Sequence, residues 1–541
     1  MTSPATSLPP EICAEIFGEL ARDAHAAYVR SLRHQELRED PEDPRPYSWI
    51  RLTHVCRVWR GVALSTPALW ANICIINADA TQEFVTRSAR QDLTVAFRRP
   101  VLSLTVPEAE INARMRTYGS ILADHIQRVT SLIVPAGVRV FSPEIVAAAK
   151  QLHTLVMITP ELDPPTTDIG GPPLAFPALE HFEYRTAFFR PLTYRKVLCP
   201  SLKTLVLRPD WTNLSDVDET SYDVHLPTAR EVVRAVATMP RLERLDVQLG
   251  DAVLALTQTA ALPHLHDLRA TGATAAVAQL LAHLVPAPAV RLVLDCRRPA
   301  EDAAADVLPV THAIARALAD ATAPPYAPCA AFSITDTRGH CVLHGWRRAP
   351  DLTQPFARAA ADVAVTCPST DAPAALAALA ALLRPFTLGA VAHVRVGRAP
   401  WHLSGEPEGA VALCAHAGLQ SLVLDSLTPP RALQLLETTA APSVALVAIN
   451  FKPADPAKQA LWLHSWSRAI RPVTPDEPSS AVDLAEILAT RAKEGRPLQH
   501  LRILRVQNIV AADVETLRKY VGELEWDGIE ADGLNPAGGV A

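Results

Sequence analysis

Two groups of cysteine and histidine stand close enough in sequence to suggest metal chemistry: His340-Cys341-Val342-Leu343-His344 and Cys414-Ala415-His416. A structural zinc site takes roughly four ligands in two close pairs. In a strand, His340 and His344 would share one face and Cys341 the other, so neither group completes a site. His264 and His266 flank Leu265 and are expected to be solvated imidazoles. Arg297-Arg298 and Arg347-Arg348 read as surface charge. The chain has no Gly-rich phosphate loop followed by Lys, no G-x-S-x-G elbow and no H-E-x-x-H pair. Carboxylates are plentiful, but nothing in their spacing pairs two of them. The expectation is a chain that is no enzyme and has no catalytic residue, no cofactor and no metal ligand.

Residues suited to contact chemistry are concentrated near the N-terminus. Leu8-Pro9-Pro10-Glu11-Ile12 is followed by Ile16-Phe17 and Leu20, then by Leu52-Thr53-His54-Val55-Cys56-Arg57-Val58-Trp59-Arg60, and finally by Pro67-Ala68-Leu69-Trp70. Pro9 and Pro10 suit a helix start, where a missing N–H costs nothing. Ile12, Ile16 and Leu20 recur every four residues, with Phe17 beside them, which predicts one apolar helix face. A second helix would align Leu52, Val55, Cys56, Trp59, Val62 and Ala63, with Arg51, Arg57 and Arg60 turned away. Two short helices cannot bury both faces alone, so they must dock on each other, on the downstream chain or on a partner.

The ordered string resembles an F-box: L-P-x-E-I…I-F…L, then V-C-x-x-W-R, then P-x-L-W. The resemblance covers residues 8–70 and implies docking on a Skp1-type adaptor, and through it on a cullin, in an SCF-type ubiquitin ligase. It makes Leu8, Pro9, Ile12, Ile16, Leu20, Leu52, Val55, Trp59, Leu69 and Trp70 the adaptor-binding or adaptor-supporting set. Leu8 and Pro9 are expected to be partly exposed, and Trp59 to hold the two helices together. Residues 22–48 depart from the family in length and charge. They read as a solvated loop with a helix extension through Tyr28 to Leu37. In overall style the chain also resembles F-box-like proteins of mushroom-forming fungi, in which such inserts occur.

Beyond the head a degenerate pattern recurs, L-x-x-L-x-L, often with Pro two residues before it. It appears at Val129-Leu132-Val134, Leu152-Leu155-Met157, Leu179-Phe182-Tyr184, Leu202-Leu205-Leu207, Leu242-Leu245-Val247, Leu265-Leu268-Ala270, Val391-Val394-Val396, Leu419-Leu422-Leu424 and Leu498-Leu501-Ile503. The final pair has period two, which places both side chains on one face of a short strand. Starts from 129 to 265 are separated by 23, 27, 23, 40 and 23 residues, and the long step holds an insertion, Asp210 to Pro227. The spacing resembles leucine-rich repeats, which run about 20–29 residues. The buried Asn of that family is largely missing; Asn450 is the one tempting case.

Helices are predicted from Thr228, which opens a capping box with Glu231, over Gly272–Leu284, from Ser480, stopped by Gly495 and Pro497, and after Asp513. Regularity is poor between residues 290 and 390. There Ala331–Thr335 and His340–Trp346 predict a hairpin. The expected fold class is α/β: an F-box head over residues 1–75 with a charged insert at 22–48, an irregular leucine-rich-repeat-like solenoid over 76–530 with a mid-array hairpin, and a flexible tail over 531–541.

Composition narrows the class. The chain has 541 residues, 49% hydrophobic and 20% charged, with a net charge of −6. The small net charge speaks against nucleic acid or an anionic membrane as partner. No apolar run approaches the roughly 20 residues a membrane span needs, and no signal peptide is evident. Nine cysteines with no C-x-x-C pair fit reduced thiols of cytoplasm or nucleus. The leading expectation is a substrate-recognition subunit whose solenoid binds an unknown protein target. The alternatives are a non-catalytic scaffold whose head only caps the solenoid, and an α/β enzyme with a degenerate site. Exposure of the two apolar faces of the head separates the first from the second.

Overall fold

A computed structural model of the chain describes residues 8–33, 46–75, 77–97, 108–135, 143–159, 176–186, 195, 197–209, 226–286, 290–297, 330–336, 340–346, 361–368, 392–397, 419–425, 446–450, 480–504 and 511–526. Cα packing divides it into two compact units: Met1–Asp267 with His283–Pro286, and Leu268–Ala282 with Ala287–Ala541. The head and the first strands share one unit.

The first unit opens with α1 (Pro10–Arg33), a 3-10 segment Ser48–His54, α2 (Arg57–Leu64) and a 3-10 turn Pro67–Trp70. Strands β1 (Asn72–Ile75), β2 (Leu93–Phe97), β3 (Val129–Pro135), β4 (Thr154–Thr159), β5 (His181–Thr186), β6 (Thr204–Arg208) and β7 (Arg244–Gln248) follow. Each pairs in parallel with the next. Helices α3 (Ala78–Arg87), α4 (Glu108–Ala123) and α5 (Pro143–Ala148) fall between the early strands, and Ala229–Val236 between β6 and β7. That last helix carries the predicted capping box between Thr228 and Glu231. Short strands β8 (Ala260–Leu262) and β10 (Leu284–Pro286) pair with each other.

The repeated positions build the core of this sheet. Leu132, Leu155, Phe182, Leu205 and Leu245 occupy equivalent positions on successive strands and are fully buried. The leading positions, Val129, Leu152, Leu179, Leu202 and Leu242, are equally buried just before or at each strand. Period two therefore holds one face of every strand on the core.

In the second unit, β9 (Asp267–Ala273) neighbours β11 (Arg291–Arg297), which pairs in parallel with β14 (Val363–Pro368). The expected antiparallel pair is present as β12 (Ala331–Asp336) with β13 (His340–Trp346), and β13 also pairs antiparallel with β14. From β12 the sheet continues in parallel through β15 (His393–Gly397), β16 (Ser421–Asp425), β17 (Leu446–Asn450), β18 (Leu498–Leu504) and β19 (Val521–Trp526). Val394, Leu422, Leu501 and Ile503 are buried. The helix Ser480–Lys493 buries Leu484 and Leu488 and stops at Gly495, whose φ of +76° is the left-handed conformation glycine adopts most easily. Fold class is thus mixed α/β, a helical head followed by mostly parallel sheet.

Candidate functional site: the exposed stripe of the amino-terminal helices

Helix α1 is longer than the sequence suggests. It runs unbroken for 24 residues to Arg33, so residues 22–33 are helix and not loop. The rest of the expected extension, through Leu37, lies outside the described residues, as does most of the charged insert. The reason for the length is a second apolar stripe. Cys13, Phe17, Ala21, His25, Tyr28 and Leu32 are all buried, at helical spacing, while Ile12, Ile16 and Leu20 point away. Phe17 therefore belongs to the inward stripe and not to the face of Ile12, Ile16 and Leu20. Pro9 stands at the cap, its carbonyl accepting the Cys13 N–H at 3.1 Å.

The inward stripe has two tasks. Its first half packs on the remaining head: Phe17 meets Trp59 of α2 edge to face. Its second half lies on the sheet, where Tyr28 and Leu32 pack with Cys74 of β1, Ala96 of β2, Ile133 of β3, and Val156 and Ile158 of β4. Tyr47 locks this join. Its hydroxyl donates to the Cys74 carbonyl at 2.5 Å and accepts the Cys74 N–H at 2.6 Å. His25 Nδ1 lies 3.4 Å from Cys74 Sγ. Burial lowers the His25 pKa to about 4 and pushes the Cys74 thiol and the Tyr47 hydroxyl well above their ordinary values. All three are therefore neutral near pH 7.

The expected second helix starts later than predicted. Ser48–His54 is 3-10, Cys56 is extended and caps α2 by accepting the Trp59 N–H on Sγ at 3.4 Å, and α2 begins at Arg57. Leu52, Val55 and Cys56 thus do not share a continuous helix with Trp59, Val62 and Ala63. Val62 and Ala63 are core, Leu52, Cys56 and Trp59 are partly buried, and Val55 is 56% exposed.

Of the two roles expected for Leu69 and Trp70, contact or support, their burial favours support. Both are buried, at 1% and 3% exposure. Trp70 donates its indole N–H to the Ala63 carbonyl at 2.9 Å and packs edge to face on Trp49 and Phe84, with Arg87 over its ring. In this structure they pack within the head, Trp70 against Phe84 of α3 and the Ala63 carbonyl of α2.

Apolar side chains also remain outside, between exposed charges such as Glu11, Glu15 and Glu19. Among the described residues ten large hydrophobic side chains are exposed, and seven lie between Leu8 and Leu64: Leu8, Ile12, Ile16, Leu20, Val55, Val58 and Leu64. Soluble chains rarely group such residues without a partner. Pro9 is exposed beside them. Val58 and Leu64 were not anticipated; the signal was faint, because both sit next to residues of the inward face.

Residues 5–76 match the family model of the F-box-like domain. The head is similar to the F-box-like domain. The match spans the helices and the turn just described, including the departures at 22–48. No curated protein matches the chain.

His264 and His266 are exposed. His344 is on β13, while the side chains of His340 and Cys341, and all of Cys414 and His416, lie outside the described residues. Among the described residues no group of three or more His, Cys, Asp or Glu is placed to hold a metal. No described helix is long and apolar enough to cross a membrane.

Proposed function

We propose that the chain is a substrate-recognition subunit of an SCF-type ubiquitin ligase. Its F-box-like domain docks on a Skp1-type adaptor, and through it on a cullin, while the downstream sheet binds a protein target. The observation that carries this reading is the outward stripe of α1, with Ile12, Ile16 and Leu20 each 43–44% exposed in a head that also exposes Leu8, Val55, Val58 and Leu64. Aliphatic anchors of this kind give desolvated contact area at an interface. A head that served only as a scaffold cap would need the inward stripe alone, since Tyr28 and Leu32 already close the sheet.

Catalysis lies outside this chain in the proposal: ubiquitin transfer belongs to associated subunits, and no metal or cofactor is required. The buried L-x-x-L-x-L positions on successive parallel strands support reading the downstream region as degenerate leucine-rich repeats. The proposal places the protein at work in cytoplasm or nucleus. Co-expression with a Skp1-type adaptor followed by size-exclusion chromatography tests it. A stoichiometric complex is expected; separate elution of the two chains at micromolar concentration contradicts it.

A further inference from the structure

The sheet face under α1 continues beyond the helix with different chemistry. Cross-strand register carries Ile158 of β4 to Arg185 of β5 and Arg208 of β6. It carries Val156 to Glu183, Val206 and Asp246. Where α1 covers the face the residues are apolar, and where it ends they are charged.

The charges are layered. The side chains of Glu183 and Asp246 keep 4% and 6% exposure, whereas those of Arg208 and Arg244 keep 40% and 39%. Arg208 donates Nε to Asp246 Oδ1 at 2.6 Å. Arg244 Nη2 lies 3.6 Å from the other oxygen of Asp246, and its Nε 3.5 Å from Asp267 Oδ2. Glu183 accepts from Arg185 Nε. Each carboxylate thus sits beneath and orients a guanidinium. The more exposed members of these pairs are the guanidiniums of Arg208 and Arg244, which carry only donors in the planar form that suits carboxylate recognition.

We propose that this face of β5–β7 docks an acidic segment of a partner protein, whose carboxylates accept from Arg208 and Arg244. Naming that partner the ligase target rests on the recognition-subunit reading; the acidic preference does not. Charge complementarity argues for the occupant: exposed guanidiniums over buried carboxylates reject a basic segment and orient an acidic one.

The test uses the full-length protein and an array of short peptides that are Glu/Asp-rich, Lys/Arg-rich or phosphoserine-bearing. Wild type is expected to retain the Glu/Asp-rich set and to release it with rising salt. Arg208→Gln in an Asp246→Asn background replaces the ion pair by a neutral pair of similar shape, so folding is preserved. It should weaken acidic-peptide binding about tenfold or more, as loss of a charged interface contact does, with adaptor binding unchanged. Arg244→Gln should act in the same direction. Equal retention of acidic and basic peptides overturns the proposal, as does retention of phosphoserine peptides alone. Binding that appears only after Asp216, Asp218 and Glu219 are replaced by amides would assign the face to the chain's own insertion and also overturn it. An adaptor titration on the same sample separates the two readings. Intact adaptor binding without acidic preference rejects the surface alone, and the reverse rejects the ligase reading alone.

Discussion

Phe17 of α1 and Trp59 of α2 meet edge to face, with ring centroids 5.3 Å apart and planes inclined at 63°. The contact fixes the angle between two helices that carry the exposed stripe. Trp59 is only partly buried, so its truncation sits at the low end for aromatic residues. Trp59→Ala is expected to cost about 3 kcal/mol and to weaken adaptor binding with it. A urea midpoint measured beside the adaptor Kd checks both effects.

The strand cores give a second expectation. Leu205 and Leu245 are both fully buried and face one another across β6 and β7. Leu205→Ala and Leu245→Ala should each lower stability by roughly 2–5 kcal/mol. Thr204→Ala, on the opposite face of the same strand, should stay within about 0.5 kcal/mol. Equal melting temperatures for the three variants would contradict the assigned faces.

Tyr47 joins residues far apart in sequence, because its hydroxyl satisfies both backbone groups of Cys74. Tyr47→Phe leaves those groups unpaired inside the unit. A loss of about 1–3 kcal/mol is expected, with hydrogen exchange at the Cys74 amide accelerated. Unchanged protection there would show that β1 does not depend on this bond.

His25 makes stability depend on pH. Its folded pKa, about 4, lies below its ordinary value of 6.5. Between these values the unfolded chain binds the extra proton, so stability is complete above about pH 6.5 and falls as pH drops toward 4. The full loss is about 3 kcal/mol by the usual conversion of a pKa difference. Wild type should therefore lose stability relative to His25→Leu as pH falls from about 6.5 toward 4, the variant lacking this part of the slope. Parallel pH profiles for the two proteins would contradict the buried neutral imidazole.

The sheet was legible because its residues obey one local rule. Leu132, Leu155, Leu205 and Leu245 each stand at the same place in a short repeated string, and a strand needs nothing more distant to orient them. The capping box at Thr228 and the β12–β13 pair were equally local. The head was legible at its ends and obscure in the middle. Tyr28 and Leu32 were readable as a helix extension but not as core, because the surface that buries them comes from Cys74, Ala96, Ile133 and Val156, which no local pattern connects to α1. Val55 and Trp59 looked like neighbours on one helix, because the break at Cys56 is made by an N-cap, and cysteine is an uncommon residue for that task. Leu69 and Trp70 carried an apolar signal that could not tell core from contact. The charged lattice of β5–β7 was invisible, since Arg208 and Asp246 are 38 residues apart and meet only through strand register.

The central claim is that the outward stripe of α1, and not its inward one, engages the adaptor. Isothermal titration of a purified Skp1-type adaptor into full-length protein tests it most directly, comparing wild type with Ile12→Ala/Ile16→Ala and with Leu8→Ala/Pro9→Ala. Because Leu8, Pro9, Ile12 and Ile16 are exposed, both variants should melt within about 2 °C of wild type, as surface substitutions do. The account predicts at least about a hundredfold rise in Kd for the Ile12/Ile16 variant, the size expected when two interface anchors are truncated. Wild-type affinity in both variants would contradict it.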